Sequence, residues 1–211
     1  MRQSLPWVAF AVLGAYHGVN PGMGWLFAVA RGLQEQRRGT VLRSLLPIAI
    51  GHEASIAVVV GLVAVAQLTL APRLLPLLAA GALLAFGLLT LWRRKTHPRG
   101  FGMRIGTVGL TAWSFLMSSA HGAGLMLAPL LLQLPVSTPA GPHDAWLVVG
   151  PFAPGLLAAS LHTTAMLLVM GTVALVVYER FGLAFLRKAW FNMDLVWAVS
   201  LVTAGLVTLL T

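Results

Sequence analysis

With 211 residues, 58% of them hydrophobic and only 9% charged, and a mean hydropathy of +0.87, the chain is far more apolar than a soluble domain, where about a quarter of residues are charged. A net charge of +9 would suit a nucleic-acid binder, but the bases fall in short clusters between apolar runs rather than on one face interleaved with aromatics, so no nucleic-acid partner is expected. The absence of cysteine excludes disulfides, thiolate metal sites, iron–sulfur ligation and thiol redox chemistry.

Apolar runs of ~20 residues, the length a helix needs to cross a bilayer, recur along the chain. They predict an all-α transmembrane fold of six spans. The first covers about Leu5 to Ala30. Arg2 ahead of it and Ala28-Val29-Ala30 resemble a secretory leader with its cleavage site, but the length of the run and its His17, Asn20 and Pro21 favour a span. A basic loop follows with Arg31, Arg37, Arg38 and Arg43. The second span covers about Leu45 to Ala66, and Ala71-Pro72-Arg73 marks a tight turn. The third covers about Leu74 to Trp92, and Arg93-Arg94-Lys95, Arg99 and Arg104 come after it. The fourth covers about Ile105 to Leu132, followed by a loop rich in Pro, Ser, Thr and Gly from Gln133 to Asp144. The fifth covers about Trp146 to Tyr178, long enough that Pro151 and Pro154 are expected to set off a separate segment. A basic connection from Glu179 to Trp190 leads to the sixth span, from about Leu195 onward.

Three loops, 31–44, 93–104 and 179–190, carry 12 of the 14 basic residues. In a six-span chain these loops share one side, and the positive-inside rule makes it cytoplasmic. The expected topology is N-out and C-out, multi-pass in a bacterial-type inner membrane.

The chain also repeats. Tyr16-His17-Gly18 in span one corresponds to Ala120-His121-Gly122 in span four, and Gly51-His52-Glu53-Ala54-Ser55 in span two to Leu161-His162-Thr163-Thr164 in span five. The histidines of these pairs are 104 and 110 residues apart. Each half, 1–104 and 105–211 of one integral membrane domain, then holds three spans. Three is odd, so the halves insert in opposite directions. Inverted repeats of this kind recur in secondary transporters, with the binding site near the midplane between the repeats.

Several residues are candidates for chemistry. Pro21 has no amide hydrogen for the carbonyl of His17, so span one is expected to break there and to leave that oxygen free. Gly14, Gly18 and Gly22 form a small-residue face for close helix contact. His17, His52, His121 and His162 lie within spans, where ionisable groups are costly and face the bundle interior or a wet cavity. They are the candidate metal ligands, since imidazole ligates metals and relays protons near neutral pH. Glu53 is the one acidic residue deep in a span, about 100° around its helix from His52. Asn20, Pro21, Glu53 and Ser55 complete the candidate substrate site. Met117 with His121, and His162 with Met166, share helix faces at i, i+4, a donor pair suited to soft or borderline metals. His97 and His143 fall in predicted loops, and Asp194 at the start of span six suits a helix cap. No nucleophile–base pair or phosphate loop appears, and no enzymatic activity or resident cofactor is expected.

The stretch from Asn20 through Gly61 resembles the start of the LysE/RhtB superfamily of small exporters. The shared features are Pro21-Gly22, Ala30-Arg31-Gly32-Leu33, Arg37-Arg38-Gly39 and Ala49-Ile50-Gly51; Met23 stands where those exporters have a second proline. His17, Pro21, Gly22, His52 and Ser55 are similar to the nickel/cobalt exporter (NicO-like) branch, with Met23 in place of its second histidine. The resemblance implies export of a small solute from the cytoplasm, driven by an ion gradient.

Together these features lead to a secondary transporter exporting a small cation, a divalent transition metal foremost, through a histidine-lined midplane site. An amino-acid or small-solute exporter is the alternative. A haem- or quinone-binding subunit of a redox complex and an accessory subunit of a larger complex are the others. The lipid bilayer is the expected partner in every case, and at this size a homodimer is a candidate assembly.

Overall fold

A computed structural model of the chain describes residues 5–92, 105–134, 153–181 and 193–210. The expectations for His97, His143, the basic loop 93–104, the loop 135–144 and the side chain of Asp194 lie outside the described residues. Within them the fold is all-helical, with no strand. The helices are α1 (Leu5–Val19), α2 (Trp25–Glu35), α3 (Arg38–Thr69), α4 (Leu74–Trp92), α5 (Thr107–Ala120), α6 (Ala123–Leu131), α7 (Ala153–Val176) and α8 (Met193–Leu210). A turn of 3-10 helix, Pro21–Met23, lies between α1 and α2, and a π-helical turn, Val177–Phe181, extends α7.

Among the described residues three helices are long and apolar enough to cross a membrane: Arg38–Thr69, Leu74–Trp92 and Ala153–Phe181. α5 and α6 make a fourth if their pair, bent by 57°, is one span. Leu5–Val19 and Ala198–Leu210 are shorter apolar helices. Leu62, Leu78 and Leu168 are each more than half exposed, and large leucines facing outward on every long helix suit a lipid surround.

Two expectations change. The basic loop 31–44 is largely helix: α2 runs to Glu35 and α3 starts at Arg38. The chain reverses within Gln36–Arg37 because Gln36 takes the left-handed conformation (φ 52°, ψ 38°) and the Arg37 amide bonds the Gly32 carbonyl at 3.0 Å. Glu35 then accepts from the Thr40 hydroxyl at 2.6 Å, tying the two helices. The fourth predicted span is also divided, at His121–Gly122, where Gly122 has φ +66°. The tight turn at 71–73 forms as expected, with the Leu74 amide bonded to the Ala71 carbonyl at 2.9 Å.

Four packings build the bundle. α1 lies along α7 in the same direction: a Cβ on Gly14 would sit 2.1 Å from the His162 carbonyl oxygen, and one on Gly18 2.4 Å from that of Met166. α3 lies along α5 in the same direction. Gly51 abuts the Thr111 carbonyl, Ser114 donates to the Ile48 carbonyl at 2.7 Å, and the Ser55 and Ser119 hydroxyls meet at 2.9 Å. α3 and α7 cross antiparallel, with Val60 against Gly155 at one end and an Arg38–Glu179 ion pair of 3.2 Å at the other. α4 and α8 are antiparallel through Gly87 against Val202 and Gly205 against Leu84. The glycine face predicted on span one is therefore used at Gly14 and Gly18 to bring backbones together, while Gly22 belongs to the break.

Candidate functional site

His17, His52 and His162 meet at the centre of this packing. The ring centroids of His17 lie 4.8 Å from His162 and 5.6 Å from His52, edge-on to both. His52 and His162 stack 5.5 Å apart, 9° from parallel. All three rings are buried. His52 lies midway along α3, and the close α1–α7 contact at Gly14 brings the other two rings alongside it.

Backbone carbonyls hold two of these rings and the fourth span histidine. A carbonyl only accepts, so each contacting nitrogen carries the proton. His17 Nδ1 donates to Leu13 at 2.8 Å, His162 Nδ1 to Phe10 at 3.2 Å and His121 Nδ1 to Met117 at 2.7 Å. In all three the lone pair is thereby assigned to Nε2. His17 and His121 use the same bond to the carbonyl four residues back. His52 differs: neither of its ring nitrogens has a hydrogen-bond partner among the described residues. The same holds for His162 Nε2, Asn20 Nδ2 and Ser118 Oγ, all buried. A buried polar group left unbonded costs about 1–3 kcal/mol, and buried groups of this kind are commonly met by water or by a ligand.

The break in the first predicted span borders the site. Pro21 ends α1, and the chain turns through Asn20–Gly24, with Gly24 at φ +118°. The His17 carbonyl, expected to be free, is instead bonded by the Asn20 amide at 3.1 Å. The helix tightens into a 3-10 bond one residue short of the proline, as helix ends commonly do. Asn20 Oδ1 accepts from the Gly22 amide at 2.9 Å, which fixes the side chain and directs Nδ2 elsewhere. The Trp25 indole closes the turn by donating to the Val19 carbonyl at 3.2 Å. A Cβ on Gly22 would lie 3.6 Å from His121 Cε1, so the two helix breaks adjoin, and His121 stands between them.

Glu53 accepts a short hydrogen bond from the Thr163 hydroxyl across the α3–α7 crossing. It faces that crossing while His52, the preceding residue, faces the rings. Ser55 is engaged by Ser119 in the α3–α5 contact. Met166 is fully buried in a core cluster with Met23, Met170 and Ile48. Thr163 as the partner of Glu53 was not singled out from the sequence, nor were Ser118 and Ser119. The signal for Thr163 existed: it follows His162 as Glu53 follows His52.

The arrangement offers imidazole nitrogens and one amide donor, with buried hydroxyls in the helix contacts and the Glu53 carboxylate at the neighbouring α3–α7 crossing. Among the described residues no group of three or more His, Cys, Asp or Glu is placed to hold a metal ion as it stands; the stacked His52 and His162 rings lie side by side rather than converging. Comparison with known proteins finds no matching family, no matching curated protein and no matching solved structure.

Proposed function

We propose that the chain is a secondary transporter, rather than an enzyme, that exports a small cation, a divalent transition metal foremost, across a bacterial-type inner membrane. His17, His52 and His162 form its binding site, with His121, Asn20 and Pro21 at the adjoining breaks. The observation that carries this reading is the tautomer pattern. Metal-binding histidines characteristically donate one ring N–H to a carbonyl or carboxylate, which orients the ring and leaves the other nitrogen as ligand. His17, His121 and His162 are set in that way. His52 has no hydrogen bond to lose, so its ring is the one that turns out of its stack to complete a coordination shell. Direct ring-to-ring contact leaves no slot for a porphyrin among the three, which favours a cation over haem.

Six spans in two inverted halves are part of the proposal. The packing supports them: α1 on α7 matches α5 on α3, and α3 on α7 and α4 on α8 each pair a helix with its own counterpart. The directions of these four contacts are those that six alternating spans require. His52 with His162, and Glu53 with Thr163, are two successive pairs at a spacing of 110 residues, as expected beside a two-fold axis. The superfamily resemblance in spans one and two is in keeping with this.

A second reading, export of an amino acid or similar solute, draws on Asn20, whose buried amide donor suits an oxygen acceptor such as a carboxylate. One experiment separates the two. Detergent-purified protein is heated with nickel, cobalt, zinc or free amino acids, as wild type and as His17→Ala. A metal at 100 times its dissociation constant is expected to stabilise the wild type by about 2.7 kcal/mol, with the effect lost in the variant. A response to amino acids alone would replace the metal reading, and a metal response that survives His17→Ala would reject the site.

A further inference from the structure

A groove of about 1040 Å³ opens between α1, α4, α6 and α8. Its lining comes from Ala9 to Tyr16 of α1, the start of α4, the far end of α6 and the second half of α8. Given the helix directions, these parts share one end of the bundle, opposite the Gln36–Arg37 turn and its arginines. The walls are mostly apolar, Leu13, Met126 and Leu130 among them, with the hydroxyls of Tyr16, Ser200 and Thr203 spaced along it. Tyr16 borders both the groove and the site. Its hydroxyl is hydrogen-bonded to Ser200 of α8 at 3.2 Å, and its ring stands edge-on to His17, 6.2 Å between centroids.

We propose that this groove is the outward vestibule of the histidine site and that Tyr16, latched to Ser200, is the gate between them. The inference rests on the transporter reading and adds a route to it. A path must hold its cargo weakly where the site holds it well. Scattered hydroxyls on an apolar wall can share water with a hydrated cation without binding it, whereas the histidines next to Tyr16 bind. The latch joins α1 of one half to α8 of the other, so movement between the halves opens it.

The protein contains no cysteine, so single cysteines report access directly. Ala204→Cys probes the groove; His17→Cys and His162→Cys, made separately, probe the site, so that one misfolded variant does not decide the matter. Each is labelled in intact cells with a membrane-impermeant thiosulfonate, with the latch intact, with Ser200→Ala and with Tyr16→Ala. The expected result is fast labelling at 204 in every background. Labelling at 17 or 162 should be slow until the latch is removed, rising roughly fivefold with Ser200→Ala, the shift that one neutral hydrogen bond commands, and further with Tyr16→Ala. Equal labelling at 17 and 162 with and without the latch overturns the gate. Labelling at 204 only from the cytoplasmic side, or only by a lipid-soluble maleimide, overturns the vestibule and assigns the groove to the other face or to lipid. Labelling needs no transport, so its failure leaves the metal-dependent stabilisation standing, and a negative metal result leaves the gate standing.

Discussion

Among the described residues His52 is held by packing alone, whereas its neighbours His17 and His162 are each fixed by a carbonyl. The difference divides the trio into two rings with a hydrogen bond and one without. Next to it, Glu53 depends on Thr163 for its hydrogen bond. Thr163→Val removes the donor while keeping the shape, and is expected to destabilise the purified protein by about 1–3 kcal/mol; Thr163→Ser should be tolerated. A thermal melt of the two variants in detergent checks this, and equal melts would show that the carboxylate is satisfied elsewhere. The histidines were legible in the sequence because imidazole inside an apolar run is conspicuous whatever the fold. Asn20 was legible for the same reason. Thr163, Ser118 and Tyr16 were not, since hydroxyls are ordinary in membrane helices and only tertiary packing tells which of them meet a polar partner.

Among the elements, the α1–α7 contact is the least forgiving. The Gly14 position faces a backbone carbonyl that cannot rotate away, so Gly14→Ala is expected to force the helices apart at a cost of about 1–3 kcal/mol. Gly81 on α4 has nothing within 4 Å of a built Cβ, and Gly81→Ala should be neutral or gain ~0.5–1 kcal/mol as a mid-helix replacement. Melting both variants separates close approach from helix propensity; equal effects would remove the packing argument. The break at Asn20–Gly24 was predicted because proline removes a specific hydrogen bond. The break at His121–Gly122 was not, because it depends on Gly122 entering the left-handed region, and glycine in a membrane helix is as readily helical as not. The extension of α3 back to Arg38 was likewise hidden. Four arginines near a predicted turn read as a loop, yet arginine is a good helix former, and the reversal needs only Gln36 and Arg37.

At the scale of the whole molecule, the proposed six-span topology rests on the placing of the basic residues in the sequence and on the helix directions. Cysteines placed at Gln36 and at Ala71, both exposed in short connections, should be labelled from opposite sides: position 36 only after the membrane is permeabilised, position 71 in intact cells. The reverse pattern would invert the orientation, and the vestibule with it. Three candidate spans among the described residues, or four with the bent pair, follow from length and apolarity. The six read from the sequence require counting broken and shorter helices as well, which hydropathy alone does not decide.

The contact between α1 and α7 has a consequence for biosynthesis. His17 and His162 are 145 residues apart in the chain, and ribosomes add roughly 5–20 residues per second. The first histidine therefore leaves the ribosome about 7–30 s before the ring and the carbonyl that cover it exist. During that interval α1, only 15 residues long and ending in a polar turn, must be sheltered by something other than its final neighbour. The insertion machinery is the candidate for that role, and a nascent chain stalled ahead of α7 should hold α1 beside it.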